Sequence, residues 1–463
     1  MKQIYKTLGA LAALALLTPS AFAAEAPKNI IMIIGDGMGP AYTSAYRYYM
    51  DNPATSQVES TVFDQLLVGM SSTYSSGTQE HHTKKTYVTD SAASATALST
   101  GVKTYNQAVA LDVNDKPLLT LMEYAKSIGK TTGLVVTSQI NHATPASFVA
   151  HNTYRYNYDD IADSYFDNRV NGNFVADLMF GGGQKYFIRD DRNIVKQFVK
   201  AGYQYFDSFD QLSKFDRLPA LGLFASSGLG YTFDSPVKYR LLKMVKKATK
   251  LLGNPDKGYF LLVEGSMIDW CGHDNDIACA MHEVDGLAKT VEYLKDYVDK
   301  RDDTLLVMTA DHETGGLSIG AQGVYQWKKD VIKQVKHSMT SIISFLLEGQ
   351  DPAKLWQEHI GIEIDDKGLA QIVAAQKTAI KAIDESPKED AEKLKAARTN
   401  IRVKLITQVS DVLARLTLTG WTSINHTGAD VQVFAHGQSK ALFNGHQDNT
   451  DIAKKLFKLM GRE

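Results

Sequence analysis

Asn29-Ile30-Ile31-Met32-Ile33-Ile34 runs directly into Gly35-Asp36-Gly37-Met38-Gly39-Pro40. The first part is a continuous apolar run rich in β-branched residues. It shows no polar alternation, so it reads as a strand buried on both faces, ending in a tight turn. Three further runs share the design. Thr131-Thr132-Gly133-Leu134-Val135-Val136-Thr137 leads into a polar loop with His142 and Thr144. Tyr259-Phe260-Leu261-Leu262-Val263 leads into Glu264-Gly265, and Thr304-Leu305-Leu306-Val307-Met308-Thr309-Ala310 leads into Asp311-His312-Glu313. Helical patterns lie between them, as in 118–128 and 239–252. This alternation predicts an α/β fold, a central and mainly parallel sheet flanked by helices. Ligands of such sheets bind beyond the carboxyl ends of the strands. Four runs that end in Asp, His, Thr or Glu therefore point to one convergent site.

The rest of the chain sets the context. Its 463 residues, 44% hydrophobic and 22% charged, suffice for a globular core. Residues 1–23 read as a secretory signal: Lys2 and Lys6 open it, Leu8 to Leu17 is apolar, and Ala21-Phe22-Ala23 is the cleavage pattern. Its apolar run is too short to span a membrane comfortably. Cleavage removes the two lysines and moves the formal charge from −2 to −4. No basic patch points to nucleic acid, and no later segment is apolar enough to span a bilayer. The expected location is the periplasm or the exterior. Cys271 and Cys279 form either a local disulfide or two buried thiols. Residues 24–463 read as a single catalytic domain. Within it, 324–421 looks different: 326–347 and 368–383 are helical in pattern, 386–398 is charged, and no buried strand is evident. The expectation is a helical insertion, after which the chain returns through His426-Thr427 to a strand at Val431 and a last helix over 450–459.

The chemistry concentrates in a few places. In Val88-Thr89-Asp90-Ser91-Ala92-Ala93-Ser94-Ala95-Thr96-Ala97, small residues with good helix propensity follow an acid and a hydroxyl, and Gly101 closes the run. Ser91 is thus expected at a helix N-terminus, where free N–H groups and the dipole favour a phosphate ester. An ordinary Asp/Ser cap would read the same way. Asp269 and His273 are four apart, on one face of a helical turn, which suits two zinc ligands or a structural Asp-His bond. Asp311 and His312 can both reach one ion in the turn beyond their strand. Asp36, with two carboxylate oxygens, can bridge two cations. Together these outline a two-metal phosphoryl-transfer centre. Arg155, in Ala150-His151-Asn152-Thr153-Tyr154-Arg155, offers a planar fork for two phosphate oxygens, or a surface ion pair.

With these residues in order, the chain resembles the metal-dependent alkaline phosphatases. The carriers are 34–39, 88–104, Ala143-Thr144-Pro145-Ala146, Ala150-His151 with Arg155, 263–269 with His273, Thr309-Ala310-Asp311-His312-Glu313, and His426-Thr427. Each is short, but their common order is highly specific. The resemblance implies that Ser91 is the nucleophile that becomes phosphoserine and Arg155 the phosphate clamp. It implies a first zinc site of Asp269, His273 and His426. A second would comprise Asp36, Asp311 and His312, with Ser91 on the open position. A magnesium site would take Asp36, Thr144 and Glu264. The ligand types agree with nitrogen and oxygen donors for zinc and oxygen donors for magnesium. Asp90 would orient Arg155 or cap the helix. The implied substrates are phosphate monoesters, with inorganic phosphate as product, and the implied assembly is a homodimer.

Two positions depart from the best-known enterobacterial pattern. His142 stands where that branch has Asp, and Trp270 where it has Lys. The pair resembles another bacterial branch that also carries a large, crown-like insertion. It bears on the surroundings of magnesium and on phosphate release, although His142 could simply bond within its loop and Trp270 simply pack. A phosphodiesterase or sulfatase on the same scaffold, separated by comparing mono- and diester hydrolysis, is a second reading. A non-catalytic phosphate-binding metalloprotein is a third, and the intact Ser91, Arg155 and ligand set oppose it.

Overall fold

The computed structural model describes residues 26–387 and 390–462. The expected signal segment lies outside them. Ten strands form one sheet. In spatial order by first residue they begin at 445, 67, 431, 304, 29, 259, 131, 178, 220 and 204. All run parallel except Val431–Gly437, which is antiparallel to both neighbours.

The four runs legible in the sequence are the four adjacent central strands. Asn29–Gly35 lies between Thr304–Thr309 and Tyr259–Gly265, and Thr131–Gln139 follows. Helices cover both faces, which explains the missing alternation. Ile31 and Ile33 pack into one core with the helices Arg240–Leu252 and Ile277–Val298. Ile30, Met32 and Ile34 pack into the other, with Ser91–Thr100, Ala143–Val149 and Asn449–Leu459. Because the central strands share one direction and register, their carboxyl ends fall together: Ile34 pairs with both Glu264 and Thr309.

Among the described residues, the chain between 320 and 418 contains helices only: Lys329–Ile332, Met339–Leu347, Pro352–Leu355, a π turn at Trp356–Ile360, Asp366–Asp384 and Ala391–Thr417. The helical pattern of 326–347 is broken in the middle, where Ser338 caps the second helix by accepting from Ser341 N. The excursion is closed at its base by two short antiparallel ribbons. Ser318–Ile319 pairs with Thr419–Gly420, and Glu313–Thr314 with His426–Thr427. The second ribbon brings His426 back beside His312 after more than a hundred residues.

Cys271 and Cys279 form a disulfide, resolving the two sequence alternatives. It joins the helix Met267–His273 to the first turn of Ile277–Val298. Closing so short a loop removes about 2–3 kcal/mol of unfolded-chain entropy. Replacing both cysteines with serine should lower the unfolding free energy by that amount, read by chemical denaturation of the metal-loaded protein.

Candidate metal centre and phosphate pocket

Ser91 is the first residue of the helix Ser91–Thr100, and all ten residues of that helix are buried. Its small side chains let other segments approach and bond to it. Ser94 Oγ donates to Asp311 O at 2.6 Å, and Ser99 Oγ donates to Ser147 O at 2.6 Å. Gly101 ends the helix in the left-handed conformation, as a C-terminal glycine does. Asp90 holds both roles left open by the sequence. One carboxylate oxygen caps the helix by accepting from Ala93 N at 3.0 Å, and it also accepts from Gln107 N at 2.9 Å. The other accepts from Arg155 Nη1 at 2.9 Å.

Arg155 is buried, fixed through its backbone N–H to Gln107 O, and its Nη2 lies 3.2 Å from His142 Nε2. It lines a cavity of about 390 Å³ together with Asp90, Ser91, His142, Trp270, His273 and His426, among others. The His142 and Trp270 rings meet edge to face at 6.0 Å.

Three clusters of potential ligands converge beneath the cavity. In the first, His273 Nδ1 faces Ile424 O at 2.6 Å and His426 Nδ1 faces Thr89 O at 2.8 Å. Each carbonyl fixes the ring proton on Nδ1 and leaves a lone pair on Nε2. Those two Nε2 atoms are 3.2 Å apart, with Asp269 oxygens at 3.4 and 3.6 Å. Two lone pairs at that separation repel unless a cation lies between them. Burial and the neighbouring His312 push His426 down to about 4, so it is a neutral ligand at ordinary pH. Burial alone would raise Asp269, yet the imidazoles of His273, His426 and His312 hold it well below the usual carboxylate range.

The second cluster is Asp36, Asp311 and His312, all fully buried. Asp36 sits in a turn that requires glycine. Gly37 has φ +71°, and a side chain there would reach within 2.7 Å of the Asp269 backbone. Gly37 N donates to Asp311 Oδ1 at 3.1 Å, fastening the two ligand turns together. His312 Nε2 lies 3.2 Å from Asp311 Oδ2, 3.5 Å from Asp36 Oδ1 and 3.1 Å from Ser91 Oγ.

The third cluster is Asp36, Glu264 and His142, with Thr144 in the first turn of the helix Ala143–Val149. Here and in the adjoining second cluster the chain leaves buried atoms without a hydrogen bond: both oxygens of Asp36, Glu264 Oε1, Asp311 Oδ2 and Thr144 Oγ1, and likewise His142 Nδ1. Burying polar atoms unsatisfied costs on the order of 1–3 kcal/mol each, more for charges. Such a concentration is what a cation-binding site looks like from its protein side. Burial, and then the charges of Asp311, Asp269 and Glu264, raise Asp36 well above the carboxylate range. Burial pushes Glu264 up to about 8. His142 falls to about 3 through burial and the adjacent Arg155.

The structure thus brings every residue singled out from the sequence into one site. It also adds residues that sequence reasoning missed. Thr314 Oγ1 donates to Asp269 Oδ1 at 2.5 Å and lies 3.2 Å from His312 Nδ1, linking the first two clusters. Glu313 accepts from Gly316 N, Leu317 N and the Thr427 hydroxyl, which anchors the ribbon carrying His426. Ser138 Oγ donates to Glu264 Oε2 at 3.3 Å. Thr314 and Glu313 adjoin a recognisable ligand pair, and that proximity was their only signal.

Comparison with known proteins agrees with this geometry. The family model "Alkaline phosphatase" matches residues 27–461. Alkaline phosphatase 3 of Bacillus subtilis is 44% identical over 434 residues, covering 94% of this chain and 89% of that protein. The crystal structure of a cold-active alkaline phosphatase from Shewanella sp. superposes with a TM-score of 0.81 at 43% identity, covering 94% of this chain and all of the other. That of Thermus thermophilus alkaline phosphatase gives 0.78 at 25% identity, covering 95% and 92%. With its ordered motifs, its sheet and its metal-ligand clusters, the chain belongs to the alkaline phosphatase family.

Proposed function

We propose that the chain hydrolyses phosphate monoesters through a phosphoserine on Ser91. Two zinc ions would be held by Asp269, His273 and His426, and by Asp36, Asp311 and His312. One magnesium ion would be held by Asp36, Thr144 and Glu264. The observation that carries the reading is Ser91 Oγ: it begins a buried helix, lies 3.1 Å from His312 Nε2, and shares one cavity with Arg155. When bound, the metal ions supply Lewis acidity that favours the seryl oxyanion and the departing oxygen.

The residues do the rest. Ser91 releases its hydroxyl proton to solvent, Oγ attacks phosphorus in line as the bond to the leaving oxygen breaks, and the alcohol departs with a proton from solvent. Arg155, held by Asp90, offers its fork to two equatorial oxygens. The first N–H groups of the Ser91–Thr100 helix add positive potential where charge accumulates. Water then attacks phosphorus as it gives up a proton, the bond to Ser91 Oγ breaks, Oγ takes a proton back, and phosphate leaves. Two in-line displacements retain configuration at phosphorus. Asp36 belongs to two ligand clusters and couples their geometry. His142, between Arg155 and the third cluster, is positioned to influence both metal preference and phosphate release.

We further propose that 24–463 is a single catalytic domain carrying 324–421 as a crown-like insertion, and that the protein acts as a homodimer after export. A disulfide suits an oxidising compartment. Among the described residues, no helix is long and apolar enough to cross a membrane.

The test is hydrolysis of an aryl phosphate monoester against the corresponding diester, with and without chelator. Chelator-sensitive monoester turnover in clear excess is expected, and a preference for diester overturns the reading. Arg155→Ala should weaken competitive inhibition by inorganic phosphate roughly 10- to 100-fold, the value of lost hydrogen bonds to a charged group. An unchanged inhibition constant counts against the clamp.

A further inference from the structure

The clamp arginine is embedded in Tyr154-Arg155-Tyr156-Asn157-Tyr158. Arg155 is buried, but Tyr154 and Tyr156 on either side are 40% and 51% exposed. The segment is held firmly. Tyr154 N donates to Asn152 Oδ1 and Arg155 N to Gln107 O, both at 2.9 Å, and Asn141 Nδ2 donates to Tyr158 O at 2.9 Å. The rings form a ladder. Tyr154 and Tyr156 meet edge to face at 5.2 Å, Tyr156 and Tyr158 at 6.0 Å, and Tyr158 contacts Tyr186 at 4.8 Å. Tyr156 lines the same cavity as Ser91, and its ring lies 5.5 Å from Arg155 Cζ. Phosphoryl transfer itself needs none of these rings.

We propose that Tyr156, braced by Tyr154 and Tyr158, is a stacking platform for the leaving group, so that the enzyme favours phosphate monoesters whose alcohol carries a planar aromatic ring, as a nucleoside monophosphate does. This deepens the phosphomonoesterase reading and rests on it. In-line attack puts the leaving oxygen on the side of phosphorus opposite Ser91 Oγ, in the cavity that Tyr156 also lines. With the phosphoryl group on Arg155, the adjacent rim is Tyr156. A ring already fixed by its neighbours binds without losing side-chain freedom, and stacking on such a ring tolerates any base because every base has a π face.

The test is a competition assay between a nucleoside 5′-monophosphate and glycerol 1-phosphate, using metal-loaded enzyme. Both esters release a primary alcohol, so their kcat/KM ratio reports recognition of the base. Any inactive fraction of a variant cancels from it. In Tyr156→Leu the ratio should fall roughly tenfold, within the range of base–aromatic stacking. Tyr156→Phe should restore it, and Tyr154→Leu should lower it less. An unchanged ratio in Tyr156→Leu, or an equal loss for both esters, overturns the platform. If the wild-type enzyme hydrolyses neither ester, the phosphomonoesterase reading fails instead.

Discussion

Ser91→Ala is expected to cut turnover of any phosphate monoester by a factor on the order of 10⁴ or more, the scale at which loss of a nucleophile leaves only binding and electrostatics. Apart from the contact of Oγ with His312 Nε2, the change is conservative. Ser91 is the first helical residue, whereas the cap is supplied by Asp90, so alanine keeps the cap and has the higher helix propensity. The side chain is buried and small, and Ser94, not Ser91, bonds the Asp311 backbone. The variant should therefore melt near the wild-type temperature and still bind phosphate through Arg155. The threonine and the metal-site histidines that line the cavity are already engaged. Thr89 Oγ1 is committed to Asp90 O at 2.9 Å, and His273 and His426 turn their Nε2 atoms toward each other. Acid quenching during turnover of labelled substrate should trap label on the wild-type chain and none on the variant. Label trapped on another residue of Ser91→Ala would remove Ser91 from the mechanism.

How much of this could be read from the sequence depends on where burial is two-sided. Asn29–Gly35, Thr131–Gln139, Tyr259–Gly265 and Thr304–Thr309 lie at the centre of the sheet and contact helices on both faces. Their sequences are therefore continuously apolar and easily recognised. The strands toward the edges are short or mixed in pattern, such as Gln204–Phe206 and Gly445–Asp448, and offer no such run. Asp36, Asp311 and His312 were legible because each follows a central strand, and Glu264 because it ends one. Asp269 and His273 were legible by their helical spacing. Thr314 and Ser138 were not, because a single hydroxyl has no period and acquires its meaning only from the partner it meets across the fold. The joining of His426 to His312 was equally hidden. It depends on a two-residue ribbon that closes a long helical excursion.

Stripping the metal ions should uncouple stability from its normal pH dependence, with a sign set by the buried carboxylates. In the metal-free protein, Glu264 is pushed up to about 8 by burial, and Asp36 is raised well above its ordinary value by burial and by Asp311. At pH 7 the folded state thus carries protons that the unfolded state has already lost. A raised folded-state pKa contributes stability that is full below the unfolded pKa and disappears as pH rises through the folded one. Between pH 7 and 9 the metal-free protein should lose about 1.4 kcal/mol through Glu264 alone, one pKa unit's worth, with Asp36 acting in the same direction. Below pH 6.5 two histidines work in the opposite sense. His426, at about 4, and His142, at about 3, remain neutral when folded but take up protons when unfolded, so their contribution falls with acid and offsets that of the still-protonated Glu264 and Asp36. On the proposed ligand set, cations in the loaded enzyme would hold the same carboxylates as anions, so binding would expel their protons and affinity would rise with pH. The melting-temperature gap between loaded and stripped enzyme should accordingly widen from pH 7 to 9. Calorimetric titration in buffers of different ionisation enthalpy should show proton release on metal binding at pH 7. A gap that stayed constant or narrowed, or metal binding without proton release, would mean that Asp36 and Glu264 are not the groups neutralised by the ions.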